Sequence, residues 1–238
     1  MTSLRINDLL LQWREQGVTY GLSRMGRYED RARRVLNVIV AGIGIVISAP
    51  LMAAIAVVVK LTSRGPVFYH QTRVGLDRRS PFSDRSDRRR VVDLGGKPFT
   101  IYKFRTMQAR SDGRQVWASQ SDARVTRVGR LLRQFRLDEL PQLVNVLKGD
   151  MNVVGPRPEQ PRIFADLKNQ VHRYSERQRV RPGITGWAQI NQHYDESIDD
   201  VRRKVAYDLD YISRQSLSQD IKIMLLTAPA MVLRKGAW

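Results

Sequence analysis

The residues best suited to chemistry are a carboxylate pair, Asp138-Glu139, set just after a run of arginines. Arg130, Arg133 and Arg136 recur every three residues upstream, beside Val128, Leu131, Leu132 and Phe135 at helical spacing. Downstream, Gly155-Pro156-Arg157-Pro158 places a proline on each side of Arg157, which excludes helix and stiffens the backbone. A guanidinium held in that way binds a phosphate bidentately with little loss of freedom. Arg181-Pro182-Gly183-Ile184-Thr185-Gly186-Trp187 repeats the logic: a cation on a rigid turn, with glycines that let backbone approach a ligand. Lys103 and Arg105 share one face of a strand expected over 99–105, and two cations at a strand end suit a phosphate. Taken alone, the acidic pair is more simply structural. Asp138 would cap a helix carrying Leu140, Leu143, Val144 and Leu147, with Pro141 in its first turn and Gly149 closing it. Glu139 would then only favour the helix dipole. The surrounding arginines shift the weight toward an anionic phosphate held at that helix start.

Other chemistries fall away on composition. The 238 residues include no cysteine, which removes disulfides, thiol catalysis and Cys-ligated zinc. The three histidines, His70, His172 and His193, fit no metal-binding spacing, and no G-x-S-x-G, Walker or G-x-G-x-x-G frame occurs. Lys and Arg number 41 against 23 Asp and Glu, a formal charge of +18. Such an excess must face nucleic acid, an anionic membrane surface or phosphorylated substrates.

The elements that position these residues follow from hydropathy. Val35 to Val59 is an apolar run of about 25 residues, roughly 37 Å as a helix and long enough to cross a bilayer. Both flanks are basic, Arg31, Arg33 and Arg34 before it and Lys60 and Arg64 after, so the positive-inside rule gives no orientation unless both ends lie on the cytoplasmic side. Pro50 frees the carbonyl of Val46 and should kink the helix, and Ser48 is near enough to satisfy part of that backbone. A helix that enters, bends and returns stands level with one that spans. Near the C-terminus, Ile221 to Leu226 and Met231 to Leu233 suggest an interfacial helix, broken by Pro229 and ending in Arg234 and Lys235. Residues 1–34 read as an amphipathic segment rather than a signal peptide, 35–60 as the membrane helix, and 61–238 as a soluble region that carries the candidate residues. The stretch from Leu76 to Gly96, with Arg78, Arg79, Arg85, Arg88, Arg89 and Arg90, reads as a solvated insertion.

Five blocks together resemble the bacterial sugar transferase family in identity, order and spacing. They are Lys103-Phe104-Arg105-Thr106-Met107, Leu137-Asp138-Glu139-Leu140-Pro141-Gln142-Leu143, Asn145-Val146-Leu147-Lys148-Gly149-Asp150-Met151, Gly155-Pro156-Arg157-Pro158 and Arg181-Pro182-Gly183-Ile184-Thr185-Gly186-Trp187-Ala188-Gln189. The resemblance implies a monotopic phosphoglycosyl transferase of minimal form, with a re-entrant helix kinked at Ser48 and Pro50, where Ala49 separates a pair the family commonly keeps adjacent. It implies a UDP-sugar donor, a polyprenyl (undecaprenyl) phosphate acceptor, UMP release and Mg²⁺. Asp138 would be the nucleophile, forming an aspartyl phosphosugar, and Glu139 would help hold the metal or handle protons. Lys103, Arg105, Arg133 and Arg157 would hold phosphates, and Arg181 with the turn through Thr185 would meet the nucleotide end. The expected fold is a mainly helical α/β unit with a small sheet, seated on the cytoplasmic face of the bacterial inner membrane and its anionic surface. Monomer and homo-oligomer both stay open, and so does the sugar. A nucleic-acid-binding protein explains the charge but neither the apolar run nor the acidic pair, so no nucleic-acid partner is expected. A catalytically silent scaffold for glycan assembly is the other alternative.

Overall fold

The computed structural model describes residues 27–77, 96–108, 124–192, 195 and 197–232. The expectations for residues 1–26, for the arginine-rich stretch from Arg78 onward, and for Leu233 to Lys235 lie outside the described residues.

Helix α1 runs Arg27–Thr62, 36 residues and roughly 54 Å, so it is longer than the apolar run that announces it. Glu29 and Asp30 in its first turn and Lys60 in its last both suit the helix dipole. Pro50 lies inside it, and the Ser48 hydroxyl donates to the Gly44 carbonyl at 2.6 Å rather than to the Val46 carbonyl that Pro50 deprives of a donor. The helix is anchored near both ends. At the start, Arg33 Nε donates to Asp220 at 2.8 Å, and Arg34 donates to the carbonyls of Val146 and Leu147 at 2.6 and 2.7 Å. Asn37 is buried inside the apolar run; its amide oxygen accepts from the Val153 N–H at 2.5 Å. Toward the end, Ile55 and Val59 pack with Phe104 and Leu132. Between these anchors the outer face stays bare, with Val46 75% and Ile47 73% exposed.

Strand β1 (Phe68–Val74) pairs antiparallel with β2 (Pro98–Phe104), with Tyr69 opposite Lys103. Further along come α2 (Arg127–Gln134), a 3-10 turn (Leu137–Glu139), α3 (Gln142–Lys148) and β3 (Asn152–Val154). The chain continues through α4 (Pro161–Gln170), a 3-10 turn (Tyr174–Arg179), β4 (Gly183–Thr185), α5 (Trp187–Asn191), α6 (Ile198–Ser213) and α7 (Leu217–Val232). Strands β3 and β4 pair in parallel, so the described residues hold two two-stranded sheets where one small sheet was expected. The reason lies at the outer edge of β2. There the Asn145 side chain accepts from the Tyr102 N–H at 3.1 Å and donates to the Thr100 carbonyl at 2.7 Å, so α3 occupies the place of a third strand.

One core joins Ala41 of α1 to Val146, Met151, Val154, Tyr211 and Ile223; a second joins Val74 to Phe164, Tyr174, Val201, Val205 and Leu209. Helix α7 divides its residues between interior and surface: Asp220 and Ile223 are fully buried, while Leu225 is 71% exposed. Beneath the loop after β3 lies a cluster of buried charges. Arg177 donates to Asp208 at 2.6 Å and to the Arg157 carbonyl at 3.0 Å, and Lys204 donates to Glu159 at 2.7 Å and Asp195 at 2.6 Å. Burial pushes the Glu159 carboxyl up, but Lys204, Arg177 and Arg73 outweigh it and hold it at about 2.

Removing the Glu159 charge leaves Lys204 and Arg177 short of a partner, so Glu159→Gln should cost about 3 kcal/mol or more in denaturant unfolding. With its folded value near 2 against an ordinary 4.5, Glu159 contributes fully above pH 4.5, and that contribution is lost as the pH falls toward 2. Unfolding series between those limits should therefore be less pH-dependent in the variant than in the wild type.

Candidate active site

The acidic pair is delivered by a chain reversal. Thr126 caps α2 by accepting from the Gly129 N–H at 2.9 Å, and Arg136 ends the segment in the left-handed region, φ 52 and ψ 22. The chain then tightens into the turn Leu137–Glu139, and α3 starts at Gln142 behind Pro141, with no side-chain cap. Asp138 is therefore not the helix N-cap: the tight turn and Pro141 set the helix start beyond the reach of its side chain. Gly149 does close α3 as expected, at φ 83. Both carboxylates are sequestered, Asp138 7% and Glu139 5% exposed.

Their surroundings differ sharply. Glu139 Oε1 accepts from Lys103 Nζ and Arg157 Nη2, each at 2.7 Å, and Arg157 Nη1 reaches Oε2 at 3.4 Å. Burial raises its pKa, but Arg157, Lys103 and Arg136 together carry it well below the carboxylate range. Asp138 is engaged by no hydrogen bond from a described residue. Burial is the largest influence on it and pushes its pKa up; Glu139 adds to that, against the cations Lys103, Arg157 and Arg133. Two adjacent carboxylates thus take opposite directions, one locked as an ion pair and the other unengaged and more basic than an ordinary aspartate.

The sequence-derived cations divide between two sets. Lys103, Arg133 and Arg157 converge on the pair, the first and last by contact and Arg133 by its field at Asp138. Arg105 instead turns to the end of α1, where its Nη2 donates to the Val59 carbonyl at 3.3 Å and to the Ser63 carbonyl and hydroxyl at 2.7 and 2.8 Å. The backbone pairing runs on through Arg105, whose N–H meets the Val67 carbonyl at 2.9 Å, but the end of α1 draws its side chain away from Lys103. Arg181 Nε donates to the Gly149 carbonyl at 3.1 Å, at the far end of α3 from the acids. Thr185 is buried, with its hydroxyl 2.9 Å from that of Thr227 on α7. The glycines of that turn serve backbone-to-backbone contact: a Cβ on Gly183 would lie 2.1 Å from the Gly155 nitrogen, and one on Gly186 would lie 2.3 Å from the Gly155 oxygen. The two proline-stiffened loops therefore brace each other, and Arg157 owes its placement partly to this contact.

Several side chains at the site were not anticipated from the sequence. Asn145 ties α3 to β2 and so sets Glu139 against Lys103; Arg177 grips the Arg157 carbonyl; Arg73 donates to the Pro158 carbonyl at 3.0 Å. Gln142 and Asn145, three apart on one face of a helix that is apolar but for its final Lys148, were the available signal.

The sequence profile of the bacterial sugar transferase family matches residues 28–234. The chain is 41% identical over 212 residues to a UDP-glucose:undecaprenyl-phosphate glucose-1-phosphate transferase of Caulobacter vibrioides, covering 88% of this chain and 73% of that protein. It is 41% identical over 207 residues to a UDP-N-acetylgalactosamine-undecaprenyl-phosphate N-acetylgalactosaminephosphotransferase of Aeromonas hydrophila, covering 86% of this chain and 44% of that protein. With a UDP-glucose:undecaprenyl-phosphate glucose-1-phosphate transferase of Escherichia coli the identity is 38% over 209 residues, 87% of this chain and 41% of that one. The chain thus spans less than half the length of the last two relatives.

Asn145→Leu should leave the Tyr102 N–H and the Thr100 carbonyl unpaired, costing roughly 2 kcal/mol or more. A lowered thermal midpoint in detergent would register it, and an unchanged midpoint would show that α3 does not depend on this anchor.

Proposed function

The chain belongs to the bacterial sugar transferase family, and we propose that it moves a sugar-1-phosphate from a UDP-sugar to undecaprenyl (polyprenyl) phosphate. The reading rests on the asymmetry of the acidic pair: Glu139 is committed to Lys103 and Arg157, while the buried Asp138 carboxylate takes no hydrogen bond from a described residue. An unengaged carboxylate among cations is equipped to attack an anionic phosphorus. An Asp138 oxygen bonds to the β-phosphorus of the donor; the bond from that phosphorus to the α-phosphate oxygen breaks, and UMP leaves. The resulting aspartyl phosphosugar is then attacked by a phosphate oxygen of the acceptor. That step breaks the Asp138 O–P bond, forms the polyprenyl diphosphate sugar and restores the carboxylate. Lys103, Arg133 and Arg157 hold the charged phosphoryl groups in line and offset the charge that develops on them. Burial keeps bulk water from competing with the acceptor.

Mg²⁺ is the metal this reading calls for. Among the described residues no group of three or more His, Asp or Glu is placed to hold an ion. Two neighbouring carboxylates suit an ion that keeps several waters and takes its remaining ligands from substrate phosphates. Asp138 and Glu139 would hold it, and it would neutralise charge on the diphosphate.

The described residues include one long apolar helix, which suits a membrane-associated transferase. The seat proposed is the cytoplasmic face of the inner membrane, and the way α1 is held supports one side rather than two. Arg33, Arg34 and Asn37 near its start and Ile55 and Val59 near its end all contact the same catalytic unit, while Val46 and Ile47 between them are bare. A helix bound by one unit at both ends suits entry and return on one side better than a crossing. The acceptor's lipid tail would lie along such a surface.

The experiment uses nanodisc-held protein, Mg²⁺, undecaprenyl phosphate and a donor panel that includes UDP-glucose and UDP-N-acetylgalactosamine, the sugars named for the relatives. UMP release from one donor that disappears in Asp138→Asn is the expected result. Release that persists in the variant would overturn the nucleophile, and silence of the wild type across the panel would favour a scaffold.

Because Asp138 must be ionised to attack and its pKa is raised, the rate should fall on acidification at a pH above that of an ordinary aspartate. Arg133→Gln removes a cation that lowers this pKa, so the acid limb should move to higher pH. A limb unmoved by that change would mean that another group controls it.

A further inference from the structure

Beside the acidic pair lies a small cavity of about 10 Å³, room for about one water-sized atom, lined by Arg73, Ile101, Lys103, Gln142, Arg157 and Pro158. Two of these residues carry buried donors that no described residue satisfies, Arg73 Nε and Gln142 Nε2. Gln142 is only 2% exposed. A buried N–H without an acceptor costs about 1–3 kcal/mol, so two at one cavity point to an acceptor that arrives with a ligand.

The charges say what kind of acceptor. Arg73, Lys103 and Arg157 bring three positive charges to the lining, and Glu139 is the described carboxylate in contact with the last two. Burial lowers the pKa of Arg73; Glu159 supports its charge from a distance, and Arg157 opposes it. The other nitrogens of Arg73 are occupied, Nη1 by the Pro158 carbonyl and Nη2 by the Gln71 side chain at 2.7 Å, so the guanidinium is fixed in orientation with Nε still unused. A neutral hydroxyl would meet the hydrogen-bonding need but not the excess of positive charge. A phosphoryl oxygen meets both.

We propose that Arg73 and Gln142 form an oxygen-binding pocket for the phosphoryl group in transfer, taking one of its non-bridging oxygens while Asp138 faces the phosphorus. The identity of the phosphate's owner, a nucleotide-sugar donor, rests on the function proposed above; the pocket's preference for a phosphate does not. Fixing one oxygen there sets the orientation of the phosphorus before attack, and Arg73 links that orientation to the Arg157 loop through Pro158.

The test runs through Gln142, because truncating Arg73 would also release the loop. Binding of inorganic phosphate to the full chain in nanodiscs is measured by calorimetry and by thermal shift, for wild type, Gln142→Leu and Gln142→Glu. Because each variant removes an unpaired buried donor, the unliganded thermal midpoint should stay at or above that of the wild type. Phosphate affinity should fall about tenfold in Gln142→Leu, which removes one hydrogen bond to a charged group, and further in Gln142→Glu, which adds repulsion. Should one variant fail to fold, the other decides. Affinities within about twofold of wild type in a folded variant would overturn the pocket, as would a wild type that binds no phosphate. The two readings separate cleanly. Gln142-dependent phosphate binding in a protein that releases UMP from no donor keeps the pocket and rejects the donor. Asp138-dependent UMP release with Gln142-independent phosphate binding does the reverse.

Discussion

Glu139 is the point on which the site depends. Its carboxylate joins Lys103 from strand β2 and Arg157 from the loop after β3 to the turn that carries Asp138. Glu139 is thus the charged group through which these three segments meet beside Asp138. An ion pair this deeply buried adds little net stability, because desolvation offsets most of the attraction. What it does provide is geometry: three pieces of backbone are held in register by a group that cannot move without breaking two ion pairs. The same arrangement separates the carboxylates chemically, since the cations that hold Glu139 ionised leave Asp138 under the dominance of burial.

Around this centre, each supporting contact acts on one of the three segments. Asn145 locks α3 to the edge of β2, and hence the turn to Lys103. The braced glycines, Gly155 against Gly183 and Gly186, together with Arg177 and Arg73, lock the Arg157 loop. The polar interactions of Arg33, Arg34 and Asn37 secure α1 to the body that holds all three. The helix thus combines buried polar anchors at its head with an apolar outer face. Its bare outer face suits lipid, and its inner face belongs to the catalytic unit.

Much of this could be read in the chain before any coordinates. The apolar run, the helix closed by Gly149, the proline-stiffened Arg157 and the acidic pair are local in sequence, and local rules of propensity, hydropathy and backbone restriction decide them. The blocks that resemble the family, in their order and spacing, likewise identified the chain, and the match over residues 28–234 agrees with that reading.

Which cation serves which carboxylate was settled only by the fold. Lys103 and Arg105 look equivalent in the sequence, yet one contacts Glu139 and the other closes the end of α1. Arg181 and Thr185 look like ligand residues and contact Gly149 and Thr227, whereas Arg73 carried no motif, Gln142 and Asn145 lay in the matched blocks without an assigned role, and all three stand at the site. The physical reason is range. Helix, turn and stiffness follow from interactions within a few residues. Burial, pKa direction and the pairing of charges depend on what the folded chain brings within a few ångströms, and the partners of Glu139 are 36 and 18 residues away. Sequence alone determined the family, the apolar helix and the places of the acidic pair and the stiffened loop; the tertiary structure decided which cations meet that pair and which brace other parts of the chain.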